Sequence, residues 1–291
     1  MDHSGRHRSR RCHRQRVTAA SVAALLIGGT IAACDGTWKP SSDGLDAGSA
    51  KQLHVKVIAE HPWDAASFTQ GVEATRNGDL VVGTGQYGSS RIYKTTVDGK
   101  QSQEQRLAPQ LFGEGITIHG DTVWQLTWKS GVAIRRHLSD LSVDTNGSDR
   151  GGDHRDGEYR YQGEGWGLCS NGTELVMSDG SGTLTMRDPQ TFEERRRVEV
   201  KSGGESLNYL NELECTPDGS VWANVWQSDK IVRIDSKTGE VQAVVDTEGQ
   251  FPAAKRGHAD VLNGIAAVPG TNRFYLTGKY WDTMYEVEFE E

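Results

Sequence analysis

Glu114 sits between two glycines in FGEG, residues 112–115, directly after the pair Phe112-Gly113. A carboxylate held among aromatic residues loses hydration, its pKa rises, and it becomes able to take and give a proton near neutral pH. A loop glutamate in open water does neither. Which of the two Glu114 is depends on the fold around it, and four other stretches of the chain match the one that carries it. They place Gln70, Glu164, Asn211 and Asn263 at the corresponding position. A wet channel accounts for glutamine and asparagine there, but less well for a carboxylate between a phenylalanine and tryptophans.

The matching stretches are FTQGVEATRNGDLVVGTG from Phe68, FGEGITIHGDTVWQLTW from Phe112, GEGWGLCSNGTELVMSDG from Gly163, LNELECTPDGSVWANVW from Leu210 and LNGIAAVPGTNRFYLTGK from Leu262. Their starts lie 44, 51, 47 and 52 residues apart. Each holds a short strand, a Gly/Asn/Asp turn and a second strand. Third strands follow as RIYKTT, VAIRRHL, TLTMRD, KIVRID and MYEVEF, and outer strands as EERRRVEVK and EVQAVVD. A period of this length with several strands per unit predicts an all-β, five-bladed β-propeller. The fifth unit lacks an outer strand, and LHVKVIAE, residues 53–60, is expected to supply it, closing the ring by pairing the N-terminus with the last blade. The first strand of each blade lines the channel, so the five polar residues form a ring at its mouth. Residues 145–162, TNGSDRGGDHRDGEYRYQ, read as a mobile loop over one face.

Composition agrees with many tight turns: 35 of 291 residues are glycine, spread along the chain, against a usual level of about 7%. Residues 1–16 carry six arginines, and VTAASVAALLIGGTIAA follows. The run is short for a membrane span and reads as an export signal. Its end, Ile31-Ala32-Ala33-Cys34, resembles a bacterial lipobox. The expected organisation is a lipoprotein signal peptide over 1–33, lipidation at Cys34, a flexible Gly/Ser-rich tether over 34–51 and a catalytic domain over 52–291. The product is expected to be exported and lipid-anchored to the outer face of the membrane or, if the signal is a plain secretory one and the cysteine incidental, secreted. Without residues 1–33 the chain has 26 basic and 39 acidic side chains, a formal charge of −13, which speaks against nucleic acid as a partner. Cys169 and Cys215 either form a disulfide or remain buried thiols.

The second strands add Trp124, Trp128, Trp222 and Trp226, with Trp166 near Glu164 and Tyr280-Trp281 after Lys279. Aromatics gathered at one mouth make a small apolar pocket with a few fixed polar groups. FTQG (68–71), FGEG (112–115), GWGL (165–168), YLNELE (209–214), VWANVWQ (221–227), DVLNGIA (260–266) and TGKYW (277–281), in this order, resemble the plant and bacterial glutaminyl-peptide cyclotransferase (glutaminyl cyclase) family. The resemblance implies a five-bladed propeller that converts an N-terminal glutamine of a peptide to pyroglutamate with loss of ammonia, a monomer that uses neither metal nor cofactor. By motif, the family's catalytic glutamate falls on Glu114, and its substrate pocket on Phe68, Gln70, Phe112, Trp128, Trp166, Asn211, Trp226 and Lys279. Gln70, Asn211, Lys279 and tryptophan N–H groups are then expected to hold the substrate amide. One departure stands out: Val82 replaces an acidic residue common in the family, with a consequence expected at the pocket edge.

Two other functions remain open on the sequence. A lipid-anchored propeller that binds a ligand without turning it over has the same ring. A metal-dependent propeller hydrolase such as a lactonase needs several carboxylate, Asn or His ligands; Glu164, Asn211 and Asn263 offer a few, but Gln70 and the tryptophans fit poorly. A nucleophile of the G-x-S-x-G kind is missing from the chain.

Overall fold

A computed structural model describes residues 50–145 and 156–291. The expected signal, Cys34, nearly all of the expected tether and residues 146–155 lie outside the described residues. Among those described there is no α-helix; a 3-10 turn spans Pro252–Lys255.

Strands fold as antiparallel four-strand meanders, each starting with an inner strand. Unit 1 runs Thr69–Ala74, Leu80–Thr84, Arg91–Thr95, Gln101–Arg106. Unit 2 runs Gly113–His119, Thr122–Thr127, Val132–His137, Glu158–Arg160, and unit 3 Leu168–Ser170, Leu175–Met177, Thr183–Arg187, Glu194–Glu199. Unit 4 (Leu210–Cys215, Ser220–Val225, Lys230–Asp235, Val241–Asp246) and unit 5 (Leu262–Ala267, Arg273–Gly278, Thr283–Glu290) share one eight-stranded sheet. The inner strands neighbour one another in cyclic order, unit 5 returning to unit 1, as in a β-propeller. Turns within units use glycine where the backbone is left-handed, as at Gly78 (φ 90°) and Gly219 (φ 86°).

The strand that joins units 4 and 5 is Lys51–Pro62, which begins one residue before the expected domain start and so takes the last residue of the expected tether. It pairs antiparallel with Thr283–Glu290, as the missing outer strand should. It also pairs in parallel with Val241–Asp246, the outer strand of unit 4.

A second difference concerns residues 145–162. Glu158–Arg160 is the outer strand of unit 2, not loop. Tyr159 and Tyr161 alternate with charged neighbours, and both rings are buried against Trp124 and Phe192 between units 2 and 3. That two-residue period is a strand signal that the glycine-rich flank conceals. Trp124 is fully buried there, where truncation to alanine costs about 3–5 kcal/mol. Cys169 and Cys215, on the inner strands of units 3 and 4, form a disulfide with Cα atoms 5.4 Å apart.

Candidate active site

The inner strands set the positions of the polar residues. Gln70, Glu114, Asn211 and Asn263 are each the second residue of their strand. At each of these starts the ladder slips register, between Thr69 and Gly71, Gly113 and Ile116, Leu210 and Leu213, and Leu262 and Ile265. Such bulges re-aim side chains. The next residue is glycine in units 1, 2 and 5, and the close approach of neighbouring strands requires it: a Cβ on Gly71 would lie 2.6 Å from Ile116 N, and one on Gly115 would lie 2.6 Å from Trp166 O.

Unit 3 corrects the expected ring. Its glycine of close approach is Gly167, where a Cβ would meet Asn211 O at 2.0 Å, so the matching position belongs to Trp166 rather than Glu164. GEGWG contains two Gly-x-Gly frames two residues apart, and a shift of two preserves strand alternation, so the repeat alone does not separate them. Glu164 lies before the strand, 37% exposed. Its Oε2 accepts the indole N–H of Trp128 at 2.7 Å and of Trp166 at 3.0 Å. Those two N–H groups, expected to hold a substrate amide, are engaged by Glu164 instead.

All nine residues that the motifs singled out, Glu114 with its eight pocket residues, line one cavity of about 190 Å³. Grooves of about 850 and 1190 Å³ lie elsewhere on the described surface, but neither holds Glu114 or Lys279. The cavity walls are aromatic: Phe112 meets Phe68 at 6.0 Å and Trp128 at 5.5 Å, and Trp166 meets Trp226 at 5.4 Å between ring centroids. Not every aromatic of the second strands joins them. Trp124, Trp222 and Trp281 pack between units, and Trp281 donates its indole N–H to Asp260 O at 2.8 Å. Val82 is likewise away from the pocket, fully buried against Trp63, Tyr93 and Tyr275. An acidic residue there would need a partner in an apolar wedge; valine fills it.

Inside the cavity Glu114 is 4% exposed and Lys279 6%. Burial pushes the Glu114 carboxyl well above 4.5; the Lys279 ammonium and a hydrogen bond from Gln70 pull it part of the way back. Burial pushes Lys279 down, against the attraction of Glu114, Asp260 and Glu212. The ammonium also lies 4.6 Å above the Phe68 ring. Gln70 is itself held: Asn263 Nδ2 donates to its Oε1 at 2.9 Å and to Thr69 O at 3.1 Å. A buried acid and a buried base thus face one small, largely apolar space.

Sequence reasoning missed Glu212. It occupies the place where the other four units have Gly71, Gly115, Gly167 and Gly264, and so projects into the channel beneath the pocket. It is fully buried, with Oε1 accepting the Val72 N–H of unit 1 at 3.3 Å. Burial pushes its carboxyl well above 4.5. The signal was present in the repeat as the one charged residue in a column of glycines.

The sequence profile of the glutamine cyclotransferase family matches residues 30–289. A glutaminyl-peptide cyclotransferase of Arabidopsis thaliana is 34% identical over 260 residues, covering 86% of this chain and 78% of its own. The crystal structure of Myxococcus xanthus glutaminyl cyclase superposes with a TM-score of 0.73 at 31% identity, covering 83% of this chain and 98% of that one.

Proposed function

Because the chain belongs to the glutamine cyclotransferase family, we propose that it is a glutaminyl-peptide cyclotransferase that closes the N-terminal glutamine of peptides to pyroglutamate on a propeller of five blades, with Glu114 moving the proton. The observation that carries this reading is the Glu114 carboxyl, buried in a cavity of about 190 Å³ beside Lys279 and Gln70. Pockets for drug-sized ligands run to about 300–1,000 Å³, so this one admits one side chain and not a folded peptide.

The α-amine nitrogen attacks Cδ of its own side-chain amide. A C–N bond forms and closes a five-membered ring; the bond from Cδ to the amide nitrogen breaks, and ammonia leaves. The reaction is an acyl transfer within one residue, so the substrate itself supplies proximity. Proton movement is left to the enzyme. Glu114, raised toward neutrality, takes the proton from the amine and delivers it to the departing nitrogen, first base and then acid. Lys279 stabilises the oxyanion that develops at Cδ, Gln70 and Asn211 orient the amide, and the aromatic walls hold the methylene groups and exclude water. This route calls for no metal.

Ammonia release from a short Gln-initiated peptide by the full chain, with and without chelator, tests the reading. Release persists under chelation and falls about 10²–10⁴-fold in Glu114→Gln. Peptide binding without release would make the protein a binding module. Activity lost to chelator and restored by calcium would make it a metal-dependent enzyme. The same reading takes the protein as a monomer, exported and anchored through lipidated Cys34; the arginine-rich start and the apolar run ending at Cys34 support the export and the anchor. A Cys34→Ser variant that leaves the membrane fraction checks the anchor.

A further inference from the structure

Three tyrosines surround the mouth of the pocket, each with its ring against an aromatic that lines it. Tyr87 meets Phe112 at 5.3 Å, Tyr280 meets Phe68 at 5.1 Å and Tyr209 meets Trp226 at 6.0 Å between centroids. They stand on three separate connections, after the second strands of units 1 and 5 and before the inner strand of unit 4.

Each connection holds a non-glycine residue in left-handed backbone: Gln86 at φ 105°, Tyr280 at 59° and Tyr209 at 67°. Such residues are strained and persist only where their surroundings hold them. Here the surroundings do. Gly88 N donates to Pro109 O at 2.9 Å and Ser90 N to Gln86 O at 2.8 Å, Tyr280 N to Ser67 O at 2.9 Å, and Tyr209 N to Gly180 O at 2.8 Å. Tyr87, fixed in this way, still leaves 54% of its surface in water. An exposed aromatic on a hydrogen-bonded turn beside an apolar pocket offers contact area at a low entropic cost.

We infer that this tyrosine collar is the subsite for the side chain of the substrate's second residue, with Tyr87 its principal contact and apolar or aromatic side chains preferred. The inference rests on the cyclotransferase reading, because a glutamine seated in a one-side-chain pocket leaves its carbonyl and the following residue at the mouth.

Ammonia release is measured on glutaminamide, Gln-Gly-amide and Gln-Phe-amide. Wild type shows a kcat/KM ratio of Gln-Phe-amide to Gln-Gly-amide above one. Tyr87→Ala lowers that ratio about three- to tenfold, the range expected for one aromatic contact, while Tyr87→Phe keeps it, since the ring and not the hydroxyl makes the contact. A ratio unmoved by Tyr87→Ala, or a wild type that treats the two peptides alike, overturns the subsite and leaves the reaction standing. Wild type that releases ammonia from none of the three sinks the cyclotransferase reading and this inference together.

Discussion

Asn263 donates its side-chain amide to Gln70 Oε1 across 2.9 Å, and this bond decides which end of Gln70 faces Glu114. With its carbonyl engaged, Gln70 presents N–H to the carboxylate. Removing the donor in Asn263→Ala frees the Gln70 amide to turn its oxygen toward Glu114. One neutral hydrogen bond contributes about 1 kcal/mol, so kcat for Gln-initiated peptides falls about fivefold. Thermal melting of the variant, measured in parallel, separates this effect from loss of fold.

Lys279 and Glu114 make the pH profile diagnostic. The ammonium favours the ionised carboxylate and lowers a pKa that burial has raised. In Lys279→Met that restraint is gone and the Glu114 pKa rises further. The acidic limb of log kcat against pH, where the base becomes protonated, then moves to higher pH, and the maximum falls because the oxyanion loses its cation. A limb that stays in place or moves down would separate Lys279 from the proton transfer.

Glu164 holds two walls of the pocket from outside through the indole N–H groups of Trp128 and Trp166. Its substitution acts on binding through the indoles, and it also removes a negative charge that helps to raise the Glu114 pKa. In Glu164→Ala the indoles lose their shared acceptor, and KM rises about three- to tenfold, the loss of a charge-assisted hydrogen bond discounted for its exposure to water. A kcat that fell as far as KM rose would show Glu164 acting on the reacting atoms.

Carboxyls on the inner strands make stability depend on pH. Glu73 accepts the Ile118 N–H at 2.8 Å, and burial pushes its carboxyl from 4.5 up to about 7. Burial likewise raises Glu212 and Glu214. A carboxyl that binds its proton more tightly folded than unfolded stabilises fully below its unfolded pKa and stops doing so as pH rises through the folded one. The melting temperature therefore declines between about pH 4.5 and 7 on account of Glu73. In Glu73→Gln that decline is shallower, as differential scanning calorimetry across this window would show.

Much of the architecture was readable in the sequence because a propeller repeats its instructions. The starts of the units, the turn glycines and the inner strands recur at 44 to 52 residues, and the nine pocket residues follow motifs anchored to those strands. What escaped notice was never local. Glu164 was assigned to the ring because two glycine frames in unit 3 satisfy the same alternation, and only the contact of Gly167 with Asn211 tells them apart. Glu158–Arg160 hid in a glycine-rich run, since its strand character comes from tyrosines that find partners in unit 3. Glu212 went unremarked because its importance lies across the channel, at Val72 of a unit that is not its neighbour.

Strand Lys51–Pro62 has partners on both sides, Thr283–Glu290 and Val241–Asp246. It works as a zip rather than a latch: withdrawing it bares two raw sheet edges at once, each a template for sticking to another molecule. Its partners lie some 200 residues away along the chain, a separation that makes this contact among the slowest to form. Molecules trimmed past Pro62 are then not smaller enzymes but open rings prone to clump.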